Sequence, residues 1–264
     1  MPGTARPSTA ATPWSGAPGA VSPLAVLHSE WIKVRSLRGS LGSLIAVFAA
    51  TVGITVLVRA TVGSAVTGSG DDVLHGAFYA LDFGQIAALA FGATAVSCEF
   101  RDGALRVSLT AVPRRGLFYA AKTTVVAGCA WAVGTLTTLT AFVAGQAFLG
   151  DDALTLGDPG ALRACLGGGA YLALMALFAA GLTAVLRSAV VVLSVLVPFL
   201  LLVSFVIGDV AGPAADYLPD RAGQQVLRLH AEGPLGPWTG LAVTALWAAA
   251  AVLAGWWSVR RRDA

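Results

Sequence analysis

The sequence between Glu99 and Lys122 reads EFRDGALRVSLTAVPRRGLFYAAK, and it is the most basic interior segment of the chain. Its cationic residues are Arg101, Arg106, Arg114, Arg115 and Lys122. Apolar runs flank it on both sides. Because cytoplasmic loops of membrane proteins are enriched in Lys and Arg, a short basic segment between two apolar runs indicates a cytoplasmic loop. The remaining segments can be oriented from this one.

The composition agrees with a membrane protein. The chain has 264 residues, of which 56% are hydrophobic and 12% are charged, whereas a soluble domain has about 25% charged residues. Six uncharged runs approach or exceed the ~20 residues that a helix needs to cross a bilayer. They lack the alternation of a membrane β-barrel. We therefore predict an all-α integral membrane protein, with six transmembrane helices at about residues 40–60, 81–98, 117–149, 162–186, 189–208 and 239–257.

The distribution of basic residues predicts the orientation. With both termini and the Glu99–Lys122 loop inside, 13 of the 17 lysine and arginine residues are cytoplasmic. The residues on the other side are Arg59, Arg163, Arg221 and Arg228. This bias follows the positive-inside rule. It predicts a multi-pass protein of the cell membrane with both termini in the cytoplasm.

Residues 1–23 differ from the rest of the chain. They are rich in Ala, Pro, Thr, Ser and Gly, carry Arg6 as their one charged side chain, and lack the apolar core of a signal peptide. We predict a disordered cytoplasmic tail there, followed by one transmembrane domain over residues 24–264.

The segment from Leu24 to Arg38 has the pattern of an amphipathic helix just before the first span. We predict a helix lying in the cytoplasmic membrane interface. A cytosolic extension of the first span is the alternative. The residues expected to hold it at the interface are Trp31, Lys33, Arg35 and Arg38.

Four residues in or near the spans are candidates for a pathway or a gate. Asp82 and Gln85 lie at the outer end of the second span; for Asp82, stabilisation of a helix N-terminus is the alternative. Gln146 is expected to form a helix–helix hydrogen bond rather than to bind substrate. Pro198 predicts a kink in the fifth span. Between prolines in the last outer segment, Ala222–His230 predicts a short helix on the outer surface.

The sequence offers no active site. It contains no P-loop, H-E-x-x-H or G-x-S-x-G motif, and its three histidines lie in separate segments without metal-ligand spacing. Its three cysteines, Cys98, Cys129 and Cys165, lie in or at the ends of apolar runs and are interpreted as small buried side chains. We predict that the protein is not an enzyme and has neither a metal nor a cofactor of its own.

Four segments together carry a family resemblance. In chain order they are LHSEWIKVRSLRGS, EFRDGALRVSLTAVPRRGLFYAAK, YLPDRAGQQ and the terminal RRRDA. With this order, residues 24–264 resemble the type-2 permeases of actinobacterial ABC transporters. The central loop is the most specific part, with an acid at the end of the second span, then a glycine, an arginine and Pro-Arg-Arg.

The resemblance implies a function and partners. Such permeases have six spans, pair as homodimers or heterodimers in the bacterial cell membrane, and export substrates with a separate cytosolic subunit that binds ATP and magnesium. Membrane lipid is the other expected partner, and nucleic acid is not. The loop between the second and third spans would be a coupling helix that docks on the ATPase. Carried over, the ATPase-coupling residues are Glu99, Gly103, Arg106, Pro113, Arg114 and Arg115.

The residues themselves leave alternatives open. The arginines of the loop could simply obey the positive-inside rule and contact lipid phosphate. The protein could then be a membrane scaffold or immunity protein that does not transport, or an ATP-independent carrier. Because a carboxylate is disfavoured at a helix C-terminus, Glu99 is expected to pair with a cation such as Arg101, Arg106 or Arg35.

Overall fold

The computed structural model describes residues 22–62, 73–101, 103–112, 114–150, 153–203, 212–230 and 233–261. Within these ranges the chain forms helices and short connections, and no β-strand occurs. All but the last two residues of the predicted N-terminal tail fall outside the described residues, as do Pro113 and residues 204–211.

The described helices are numbered in chain order. They are α1 (Pro23–Ser36), α2 (Arg38–Val62), α3 (Val73–Ala77), α4 (Leu81–Ser97), α5 (Ala104–Ala111), α6 (Arg115–Gln146), α7 (Ala161–Leu186), α8 (Ala189–Pro198), α9 (Pro219–Gln224) and α10 (Pro237–Arg261). Short 3-10 turns follow α4 (Cys98–Phe100), precede α9 (Gly212–Tyr217) and follow α9 (Gln225–Leu227). A π-helical turn, Phe199–Val203, follows α8.

Five described helices are long and apolar enough to cross a membrane. They span Arg38–Thr61, Leu81–Phe100, Arg115–Gln146, Ala161–Leu186 and Pro237–Arg261. The prediction of an all-α protein with several membrane-spanning helices is therefore confirmed. The sixth predicted span, 189–208, begins with the shorter apolar helix Ala189–Leu201, and its last five residues, 204–208, lie outside the described residues.

Helix α7 lies at the centre of the bundle, where it packs against α4, α6 and α10. Close approach depends on glycine at two crossings. A Cβ atom on Gly92 would overlap the carbonyl of Ala176, and one on Gly181 would overlap the backbone of Ala251. Small residues at such crossings let helix backbones pack closely within a membrane.

The outside of the bundle is apolar. Leu57, Val195, Leu246 and Leu253 are each more than 60% exposed. A protein in water rarely presents so many large apolar side chains on contiguous helical faces. Exposure of this kind is suited to lipid.

The two ends of the bundle differ in composition. We call the end formed by α1, α5, the first turn of α6 and the last turns of α10 the basic end. Arg115 joins two of these elements, because its Nη1 donates a hydrogen bond to the carbonyl oxygen of Val259 at 3.3 Å. Arg260 and Arg261 stack there over Trp256 and Trp257. Three of the basic residues that carried the topology prediction, Arg115, Arg260 and Arg261, thus lie together at this end.

The short helix of the last outer segment is buried, which corrects the prediction of a surface helix at Ala222–His230. It begins at Pro219 as α9, and Ala222 and Val226 are both fully buried. The Thr244 hydroxyl of α10 donates a hydrogen bond to the Pro219 carbonyl at 2.8 Å. Gly223 packs directly under the ring of Tyr171. Contacts with the bundle, which the local sequence does not encode, draw this segment inward.

Candidate docking site at the basic end

Four charged side chains meet inside the basic end. We call Glu30, Lys33, Glu99 and Lys122 the four-charge cluster. Lys122 Nζ lies 2.7 Å from Glu99 Oε1 and also contacts Glu30 Oε2. Lys33 Nζ lies 2.9 Å from both Glu30 Oε1 and Glu99 Oε1. Two cations therefore match two anions, and the formal charges of the cluster cancel.

The cluster is largely closed to solvent. Glu30, Glu99 and Lys122 are 1%, 4% and 2% exposed, while Lys33 reaches the surface. The ring of Phe118 lies beneath both ammonium groups, with its centroid 5.3 Å from Lys33 Nζ and 6.0 Å from Lys122 Nζ. Buried charges are tolerated when they are paired and hydrogen-bonded, and the contacts here meet that condition.

Ser108 connects the short helix α5 to the cluster. Its hydroxyl accepts a hydrogen bond from Lys33 Nζ at 3.0 Å and donates one to Glu99 Oε2 at 2.9 Å. On the same side of α5, Leu105 is buried with Val26 of α1 and Phe118 of α6. One polar and one apolar residue therefore fix the inner side of α5 to the bundle.

The outer side of α5 faces away from the bundle. Val107 is 70% exposed, and Arg106 and Thr110 are exposed beside it. Gly103, just before the helix, has φ +74°, in the left-handed region that favours glycine. A short helix with a fixed inner side and an exposed outer side is therefore available to a binding partner.

The predicted coupling residues occupy different environments. Arg106 and Arg114 are exposed at the basic end, and Arg115 is half-buried against α10. Pro113 lies outside the described residues. Glu99 is in the buried cluster, so its carboxylate faces the protein interior rather than an outside partner. It pairs with cations, as expected, but with Lys33 and Lys122 rather than with the expected arginines.

The four predicted interfacial residues also lie in different environments. Trp31 is 43% exposed, and the Arg35 guanidinium lies 5.8 Å from the centre of its ring. Lys33 instead points into the four-charge cluster. Arg38 opens α2, which follows α1 after the single extended residue Leu37. The predicted helix exists as α1, and one of its faces is buried against α6 and α2.

The candidate pathway residues lie at or toward the opposite end of the bundle. Asp82 Oδ1 accepts a hydrogen bond from Gln224 Nε2 at 2.6 Å, and buried Gln85 accepts one from the Tyr171 hydroxyl. Gln146 does not bridge two helices through its oxygen, which accepts a hydrogen bond from the loop amide of Leu154 at 2.8 Å. Of the four candidate pathway residues, only Asp82 and Gln85 lie close to each other.

Pro198 lies where α8 changes geometry. The α-helix ends at Pro198, and the π-helical turn Phe199–Val203 follows. Proline removes a backbone donor and crowds the preceding turn, so an irregularity at this point is expected. The proline ring itself is exposed on the outside of the bundle.

Sequence reasoning missed Glu30 and Lys122 as a buried pair. One signal was available, because Lys122 falls inside the third predicted span, 117–149, where a lysine needs an anionic partner. Glu30 lies 92 positions earlier in the chain, and nothing local to it indicates that partner.

The charged contacts at the basic end join α1, α6 and the turn after α4. Among the described residues, no group of three His, Cys, Asp or Glu side chains could hold a metal ion.

No family model matches the chain, and comparisons with curated proteins and with solved structures find no match either.

Proposed function

We propose that the protein is the membrane-spanning permease subunit of an ATP-driven exporter, coupled to a separate cytosolic ATPase. The observation that carries the proposal is the position of α5. Its inner residues Leu105 and Ser108 are fixed to the bundle, while Arg106 and Val107 face outward. An ATPase docked on that outer side could exert force on the bundle.

Force applied to α5 would reach three other elements. Ser108 bonds to Lys33 of α1 and to Glu99 beyond the end of α4, and Lys122 of α6 completes the cluster. Displacing α5 without moving these helices would break both hydrogen bonds of Ser108 to charged groups of the cluster, which is costly where those groups are buried. The cluster therefore favours movement of α1, α4 and α6 together with α5.

The wider assembly belongs to the same proposal. The basic end faces the bacterial cytoplasm, which the positive-inside rule supports. A sixth span at 189–208, which begins with α8, is part of the proposal. A second protomer, identical or different, forms the other half of the pathway, and magnesium and ATP bind to the ATPase subunits. Lipid surrounds the apolar faces of the bundle.

Charge reversal on the docking side tests the proposal. The double variant Arg106→Glu/Arg114→Glu, reconstituted with its cognate ATPase, should lose about tenfold or more of the permease-dependent ATP hydrolysis, as expected when charge complementarity at an interface is inverted. The matched control is Arg260→Glu/Arg261→Glu, a double reversal at the same end but on α10, which should leave the stimulation unchanged.

The outcomes separate an exporter from a scaffold. Full stimulation by Arg106→Glu/Arg114→Glu, in protein that is inserted and folded, contradicts docking on α5. Co-purification with an ATPase whose hydrolysis is the same with and without the permease would favour a scaffold or immunity protein.

A further inference from the structure

A polar cavity lies at the opposite end of the bundle from the four-charge cluster. Its volume is about 470 Å³, and it lies between the first turn of α4, the π-helical turn after α8 and the segment around α9. This volume is within the range of small-molecule sites, about 300–1,000 Å³. A polar cavity is notable in a chain whose buried core is otherwise largely aliphatic and aromatic.

The charges that line the cavity are unequal. Three carboxylates reach it, from Asp82, Asp216 and Asp220, against two guanidinium groups, from Arg221 and Arg228. Counted as formal charges over these described residues, the wall has one net negative charge. Within a bundle of low polarity, electrostatic attraction is stronger than in water, so a ligand with one positive charge is favoured over a neutral or anionic one.

Amide side chains add hydrogen-bonding capacity. Gln85, Gln224 and Gln225 all line the cavity. Gln225 is 6% exposed, and its Oε1 has no hydrogen-bond partner among the described residues. A buried acceptor without a partner costs free energy, and a hydroxyl or ammonium group of a ligand would satisfy it.

The wall is held in place by contacts behind it. The Tyr171 hydroxyl donates to Gln85, Gly223 packs under the Tyr171 ring, and Gln224 Nε2 donates to Asp82. These contacts join α7, α4 and α9. Fixed polar groups reduce the ordering cost of binding.

We propose that this cavity binds a small solute that carries one ammonium group and several hydroxyl groups. The ammonium group lies against the carboxylates, and the hydroxyl groups pair with the amide and guanidinium groups. Treating this solute as cargo rests on the proposed function, but the binding site itself does not require an ATPase.

A matched pair of probes tests the charge requirement. Glucamine has one ammonium group on a polyol chain, and sorbitol has a hydroxyl group in its place. Titrated calorimetrically into the full-length protein in lipid nanodiscs, glucamine should bind about tenfold or more tightly than sorbitol, as expected from one buried charge contact. Equal affinities, or no binding of glucamine, would overturn the proposal.

Variants test the location. Asp82→Asn and Asp216→Asn should each weaken glucamine binding about fivefold, and Asp158→Asn should not, because Asp158 lies in the α6–α7 loop and bonds Thr155 there. If the Asp82→Asn variant fails to fold because its hydrogen bond to Gln224 is weakened, the Asp216→Asn variant tests the location of the site. Unchanged affinity in a folded Asp216→Asn variant contradicts this assignment.

The experiment is independent of the exporter proposal. Glucamine binding that persists in Arg106→Glu/Arg114→Glu, together with unchanged ATPase stimulation, would refute docking on α5 and leave the cavity assignment intact. The reverse result, lost stimulation in a protein that does not bind glucamine, would refute the cavity assignment alone.

Discussion

Lys122 is the side chain on which the interior of the basic end depends. It is 2% exposed and contacts both Glu30 and Glu99. Without it, two buried carboxylates would share the single cation Lys33. A carboxylate left without a partner in the interior is strongly destabilising, more so than the loss of the ion pair itself.

Replacing Lys122 by methionine should therefore lower the free energy of unfolding by about 3 kcal/mol. Unfolding of the purified protein by SDS in mixed micelles measures the change. The control is Arg35→Met on the exposed side of α1, which should change stability by less than about 0.5 kcal/mol.

Adding Glu99→Gln to Lys122→Met should recover part of the lost stability, because one carboxylate without a partner is removed. Equal stability of the Lys122 and Arg35 variants would contradict the role given to the cluster.

For single residues, the sequence predicted that Glu99 pairs with a cation, but it did not identify which cation. The position of Glu99 at a helix end indicated that a cation would be near. The cations are Lys33 and Lys122, which lie 66 and 23 positions away in the chain. Pairing over such separations depends on how α1 and α6 pack, and single-residue chemistry does not specify it.

The geometry of α5 depends on the residue before it. Gly103 has φ +74°, and a Cβ atom there would meet nothing within 4 Å. An alanine at this position would therefore be strained by its backbone conformation alone. Residues other than glycine cost about 1 kcal/mol or more in the left-handed region.

Gly103→Ala should loosen α5 and reduce its protection against amide hydrogen exchange by about fivefold, which corresponds to that strain. Gly39→Ala is a matched control, because Gly39 also has open space around its Cβ position but lies in the helix α2. Alanine has a higher helix propensity than glycine, so this variant should be as stable as the wild type or more stable. Unchanged exchange of α5 in Gly103→Ala would show that the turn is not strained.

Long apolar helices were predictable, and the buried short helix was not. The runs that form α2, α4, α6, α7 and α10 exceed or approach the length of a membrane span, so length and hydropathy suffice to find them. Helix α9 contains Asp220 and Arg221 between prolines, which locally resembles a surface loop. Its burial comes from contacts with Thr244 and Tyr171, on helices that are distant in sequence.

At the scale of the whole molecule, the positive-inside rule predicts that the basic end faces the cytoplasm. A cysteine introduced at exposed Val107 should not react with a membrane-impermeant maleimide in intact cells and should react after the cells are opened. A cysteine introduced at Leu156, exposed in the α6–α7 loop, should react in intact cells. The unmodified protein controls for the three native cysteines. Labelling of the Val107 variant in intact cells would show that the basic end faces outward, and it would contradict cytoplasmic docking.

Helix α4 and its 3-10 turn form one rod with Asp82 near one tip and Glu99 at the other. With a rise of 1.5 Å per residue, these two carboxylates are separated by about 25 Å along the axis. Pivoting such a rod by about 5° at the Glu99 tip displaces the Asp82 tip by about 2 Å, enough to break a hydrogen bond. A pivot of that size, driven from the basic end, would therefore break the Asp82–Gln224 hydrogen bond without any bending of the rod.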